Sequence, residues 1–236
     1  MKKISISANR RAFLIKAVAG APAAVAAGSG ALSAGALFAG DAQAQDSGPY
    51  KPTYFSQQEF DTLAALVDTL IPADETGPGG VEAGVVEFID KQMDTPYAHG
   101  GLWYMDGPHQ PDAPAVFGYQ LPESPRELYR KGLHNFETAV QAQYGKSFTQ
   151  MDAAQRELVV GALEKGTLKL ADLPGDAFFG QLLQNVHEGY FCDPVHGGNK
   201  GMAAWKMIGF PGARADYYDW VDQYGKRYPL PPVSRG

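Results

Sequence analysis

Four side chains able to bind metals or move protons crowd into ten positions: His187, Cys192, Asp193 and His196. Imidazole, thiolate and carboxylate at short range would suit a transition-metal ion, or a nucleophile with its base. The spacing matches neither arrangement. His187-Glu188 opens like a zinc-protease helix, yet the fourth residue after His187 is Phe191, so the second ligand of H-E-x-x-H is absent. Cys192 lacks the flanking residues of a known cysteine nucleophile, and no Gly-x-Ser-x-Gly elbow occurs. With a single cysteine and no Cys-x-x-Cys-His, the chain forms no internal disulfide, holds no iron–sulfur cluster and attaches no c-type haem. Gly77-Pro78-Gly79-Gly80 has the glycines of a dinucleotide loop but no strand before it, so it reads as a turn between helices. His134 falls mid-helix and reads as a half-exposed side chain.

Chemistry failing, recognition remains. The span Glu188 to Gly212 sets six glycines beside Tyr190, Phe191, Trp205 and Phe210, a pattern of tight turns that present large apolar groups. The amides of Gly197, Gly198 and Asn199 could cradle an anion. Aromatic anchors on a glycine-fixed loop equally suit a protein partner, and without an adjacent acid–base pair the interface reading is preferred. A second aromatic stretch runs from Asp94 to Glu123, with five prolines and Tyr97, Trp103, Tyr104, Phe117 and Tyr119. It is too aromatic for disorder and too broken for a helix, so a packed surface excursion is expected. The residues expected to meet a partner are Trp103, Tyr104, Tyr190, Phe191, Cys192, Asp193, His196, Asn199, Trp205 and Phe210.

The elements that must hold these loops are helices. Ser56-Gln57-Gln58-Glu59 is a capping box, followed by Phe60, Leu63, Val67 and Leu70 at helical spacing until Pro72. Val81 to Met93 repeats the pattern with Val85, Phe88 and Ile89. Ser124-Pro125-Arg126-Glu127 restarts helix, its apolar side being Leu128, Leu133, Phe136, Val140 and Tyr144, with Gly145 as a left-handed end. Thr149 to Lys165 follows with Leu158, Ala162 and Leu163 inward, then Asp176 to Tyr190 with Phe179, Leu182, Leu183 and Val186, and last Ala213 to Tyr224. No run of alternating β-branched residues competes. The expectation is an all-α fold: one compact multi-helix domain with long, ordered loops rich in aromatics and glycine.

Ahead of that domain, Asn9-Arg10-Arg11-Ala12-Phe13-Leu14 reads as a twin-arginine export signal, and Ala17 to Gly40 carries no charge. Ala42-Gln43-Ala44 supplies the small-x-small pattern of a cleavage site. The run is long enough to cross a bilayer, but its Ala, Gly and Ser content is weakly apolar, and export with cleavage is preferred to a membrane anchor. The expected division is a signal peptide over 1–44 and a domain over 45–236. Residues 1–44 hold five of the 20 basic and one of the 26 acidic residues, leaving 15 − 25 = −10 for the rest. Such a charge repels phosphate backbones and anionic lipid, so nucleic acid is not an expected partner.

Two blocks carry a resemblance. One is Leu70-Ile71-Pro72-Ala73-Asp74-Glu75 with Val81-Glu82-Ala83-Gly84-Val85-Val86-Glu87-Phe88-Ile89-Asp90; the other is Asp193-Pro194-Val195-His196-Gly197-Gly198-Asn199 with Trp205-Lys206-Met207-Ile208-Gly209-Phe210-Pro211-Gly212. In both, the chain resembles the gluconate 2-dehydrogenase subunit 3 family. The resemblance implies a small subunit without a cofactor of its own or a catalytic residue, in a membrane-bound dehydrogenase. It also implies a catalytic large subunit holding FAD, of the glucose–methanol–choline type, and a multihaem cytochrome c subunit that passes electrons to quinone. The small subunit would carry the signal for the twin-arginine translocase and take the folded flavoprotein with it into the periplasm, meeting the inner membrane only through its partners. The competing expectation is a stand-alone periplasmic enzyme or small-molecule-binding protein using the Asp193–His196 loop.

Overall fold

The computed structural model describes residues 50–236, Asp112 excepted. The expected signal residues Arg10, Arg11, Phe13 and Leu14 and the cleavage residues Ala42 and Ala44 lie outside the described residues. Among the described residues six α-helices form the fold: α1 (Gln57–Leu70), α2 (Val85–Gln92), α3 (Pro125–Tyr144), α4 (Ala153–Glu164), α5 (Gly175–Phe191) and α6 (Ala203–Ile208). Among the described residues there is no strand, and two isolated bridges are the only β-type pairings. The all-α expectation is met.

Local capping explains where the helices begin. The Ser56 amide donates to Glu59 at 2.8 Å, and the Glu59 amide donates back to the Ser56 hydroxyl at 3.3 Å. The Ser124 amide donates to Glu127 at 2.8 Å, with Pro125 opening α3 and Gly145 ending it at φ 70°. Asp152 caps α4 by accepting the Gln155 amide at 2.9 Å.

α5 is the hub: α2, α3 and α4 pack along it, and α1 and α6 also reach it. Its Phe178, Leu182 and Val186 are fully buried together with Leu63, Leu66, Ile89, Leu128, Tyr129, Phe136, Phe148 and Val160. A β-carbon at Gly132 would sit 2.3 Å from the Phe178 ring, so α3 can approach α5 this closely only with glycine there.

Several expectations need correction. Residues 81–84 form a turn and α2 starts at Val85, after Gly84 takes a left-handed conformation at φ 80°. Leu158 is not inward but 73 % exposed; the buried face of α4 is Val159, Val160 and Leu163, and the position before Val159 lies about 100° round the helix. Tyr144 is likewise exposed at the end of α3. Ala213 to Tyr224 is not a helix and holds a single 3₁₀ turn, Tyr218–Trp220. The Ala213 amide donates to Val233 O at 2.7 Å, so the chain here bonds to the returning tail rather than to its own next turn. The short α6, unforeseen in the sequence, starts where the Ala204 amide donates to the Asn199 side chain at 2.9 Å.

Candidate functional site

The loop between α5 and α6 is built on close backbone contacts. Gly189 O, in the last turn of α5, accepts the Asn199 amide at 3.0 Å and the Cys192 thiol at 3.4 Å. A β-carbon on Gly198 would fall 2.1 Å from that same carbonyl oxygen, which leaves no room for any other residue. Asn199, fully buried at φ 44°, donates its side-chain amide to Cys192 O at 2.9 Å while its carbonyl caps α6. One amide group thus ties the exit of α5 to the entry of α6. Trp205 then reaches back, its indole N–H donating to Phe191 O at 2.7 Å and its ring meeting Phe210 edge-on at 5.1 Å. Tyr190 is buried, with its hydroxyl on Pro78 O at 2.8 Å. Lys200 joins the loop to α2 through its amide on Ala83 O at 3.0 Å and an ion pair with Glu87.

The loop's polar groups are accordingly engaged. The Gly197 amide donates to Pro194 O at 2.8 Å, the Asn199 amide to Gly189 O, and the Gly198 amide faces the Cys192 sulfur. These three amides do not form an anion cradle. Asp193 accepts the Val195 amide at 3.1 Å, the Ser234 hydroxyl at 2.6 Å and the Arg235 amide at 2.9 Å. Desolvation alone would raise its carboxyl; these donors outweigh that and hold it below the usual range. A carboxylate so occupied is a clasp rather than a proton carrier, and His196 beside it is exposed. Burial pushes the Cys192 thiol up, aided by the charge of Asp193. Burial also lowers His187, whose Nε2 has no hydrogen-bond partner among the described residues. Among the described residues, no three His, Cys, Asp or Glu side chains are grouped to hold a metal ion.

The aromatic excursion is anchored separately. The Tyr97 hydroxyl accepts from Gln181 at 2.6 Å and from Asn185 at 2.9 Å, two residues of α5. Asn185 in turn accepts the Tyr129 hydroxyl at 3.1 Å and donates to Glu188 at 2.7 Å. The Tyr97 and Trp103 rings meet edge to face with centroids 5.8 Å apart, and Tyr119 leans on Trp103 at 4.9 Å. Beyond this rigid base the loop turns apolar groups to solvent: Tyr104 is 83 % and Val116 87 % exposed, with Leu102 and Phe117 also outside.

The expected contact residues therefore fall into two groups. Tyr104, His196 and Phe210 are exposed, and Trp103, Phe191, Cys192 and Asp193 are half-buried. Tyr190, Asn199 and Trp205 are buried within this chain, where their polar atoms bond to its own backbone, and they offer little surface to a partner. Sequence reasoning missed Leu102 and Val116, and the exposed Tyr218, Val221 and Tyr224 of the C-terminal segment. Aromatic density was the one signal available for them, and it does not separate outward from inward.

The family model for gluconate 2-dehydrogenase subunit 3 matches residues 57–212. That span opens at the first residue of α1 and closes at Gly212, where the backbone bridges to Val233. No curated protein and no solved structure matches the chain. Among the described residues, no helix is long and apolar enough to cross a membrane.

Proposed function

The chain belongs to the gluconate 2-dehydrogenase subunit 3 family, and on that premise we propose that it is the non-catalytic small subunit of a periplasm-facing, membrane-bound, FAD-dependent dehydrogenase. The observation that carries this reading is the exposed apolar rim of the excursion, Leu102, Tyr104, Val116 and Phe117, mounted on a base fixed to α5. A loop that is rigid below and apolar above loses little conformational entropy when a partner covers it. In this reading the FAD-containing large subunit covers that rim and performs the oxidation, a multihaem cytochrome c carries the electrons onward, and the complex holds the protein at the inner membrane. Arg10 and Arg11 address the pair of folded proteins to the twin-arginine translocase. A stand-alone enzyme built on Asp193 draws no support from the geometry, since that carboxylate is committed to Val195, Ser234 and Arg235.

The test is a native pull-down of the full chain with mass spectrometry, together with Arg10→Lys/Arg11→Lys. A flavoprotein should co-purify, and in the double variant it should remain in the cytoplasm, folded and flavin-loaded. Recovery of the chain alone, or normal periplasmic dehydrogenase activity in the variant, would contradict the assignment.

A further inference from the structure

An open groove of about 850 Å³ runs between the start of α1 and the middle of α3, walled by Ser56, Glu59 and Thr62 on one side and by Arg130, His134 and Glu137 on the other. Its charges are unevenly matched. Arg130 is held at 2.7 Å by Glu59 and at 3.0 Å by Tyr54 O. Glu137, half-buried, takes hydrogen bonds from the Phe148 amide, at 3.3 Å to each oxygen. Among the described residues no Lys, Arg or His nitrogen forms an ion pair with it. Lys146 donates instead to Gln155 at 2.6 Å, and Arg156 to the carbonyls of Phe148 and Thr149. Burial accordingly raises the Glu137 carboxyl above its usual range, the Phe148 amide offsetting only part of the effect. A desolvated carboxylate with no counter-charge is costly and tends to neutralise; a cation entering the groove would favour its charged form instead.

We propose that this groove binds an alkylammonium group, free or borne on a lysine side chain, with Glu137 as its counter-ion. The Thr138 hydroxyl also lines the groove; its proton goes to His134 O at 2.8 Å, so its lone pairs are left as a neutral acceptor. An ammonium is a compact point charge that accepts such scattered partners. A guanidinium fork needs two free oxygens in one plane, and both Glu137 oxygens already face Phe148. The proposal is independent of the export and partner readings.

The test follows the Glu137 side-chain carbon by NMR in the full chain while cadaverine is added, with sodium chloride at matched ionic strength as the control. Saturable binding that lowers the titration midpoint of Glu137 is expected. Glu137→Gln, nearly isosteric, should weaken binding about tenfold or more with an unchanged circular dichroism spectrum. N-acetyl-lysine methylamide, compared with the equally charged n-butylamine, separates the sources: tighter binding than n-butylamine supports a lysine side chain, and equal or weaker binding supports a free amine. A Glu137 signal that responds no more to cadaverine than to salt overturns the site, as does undiminished binding by the Gln variant.

Discussion

Asp193 accepts the Ser234 hydroxyl at 2.6 Å, so a carboxylate inside the family-matched span holds a residue well beyond its end. Together with the Gly212–Val233 bridge and the Arg235 amide, this contact closes residues 213–236 onto the α5–α6 loop. Asp193→Ala is expected to free that segment at a cost of about 1 kcal/mol, the site being only partly buried. Limited proteolysis should then cut within 213–236 first, while the helical circular dichroism signal stays unchanged. Unaltered protease resistance would show that the bridge suffices without the carboxylate.

Asp90 performs a similar task for residues 50–55, ahead of α1. Fully buried on α2, it accepts the Tyr50 hydroxyl at 2.7 Å, the Thr53 amide at 2.7 Å and hydroxyl at 2.9 Å, and the amides of Tyr54 at 3.2 Å and Phe55 at 3.0 Å. Burial alone would raise its carboxyl, but these donors outweigh it and hold the group below its ordinary value. Because the folded value is the lower one, the clamp's contribution is complete above the unfolded value of about 3.9 and fades as pH falls through the folded value. Urea unfolding should show Asp90→Ala destabilised by about 3 kcal/mol at neutral pH, since several donors lose their acceptor. The wild-type advantage over the variant should shrink in acid.

Trp205 and Tyr104, both expected at the interface, separate by burial. Trp205→Ala should lower thermal stability by about 3 kcal/mol, because a buried indole and its bond to Phe191 O are lost. Tyr104→Ala, at an exposed position, should leave the melting temperature unchanged and weaken co-purification with a partner by roughly 2 kcal/mol. Both effects reversed would invert the assignment of core and surface.

Gly198→Ala tests the tightness of the loop. The added carbon would meet Gly189 O at 2.1 Å, and a backbone atom has little freedom to withdraw. A loss of about 2 kcal/mol or more is expected in thermal unfolding, against a gain of up to about 1 kcal/mol for Gly180→Ala, inside α5 where the new carbon meets nothing within 4 Å.

Cys192 is half-buried and its thiol is held up by burial and by Asp193, which lowers the thiolate fraction at neutral pH. Its reaction with a soluble disulfide reagent should be slow in the folded protein and speed up sharply on unfolding. Raising the pH should accelerate the folded-state reaction over a range above that of a free thiol. Rapid labelling of the native chain at neutral pH would mean that the loop opens.

Much of the scaffold was legible in the amino-acid order, because the forces that write it are local. Ser56 with Glu59, Ser124 with Glu127 and the left-handed Gly145 each act within one helical turn, so the starts of α1 and α3 and the end of α3 follow from neighbours in the chain. The apolar repeat likewise identified the inward faces of α1, α3 and α5. What tertiary structure alone decided is which aromatic and polar loop residues end inside. Tyr190 is buried because Pro78 O, far away in sequence, takes its hydroxyl. Asn199 and Trp205 are internal because α6 folds back on the end of α5, and Asp193 is a clasp because residues beyond 233 return to it. Periodicity cannot report such contacts, since burial in a loop depends on what arrives from elsewhere in the chain. For the same reason the segment from Ala213 to Tyr224, with helix-compatible residues, starts on a bond from Ala213 to the returning tail and keeps only a short 3₁₀ turn of its own.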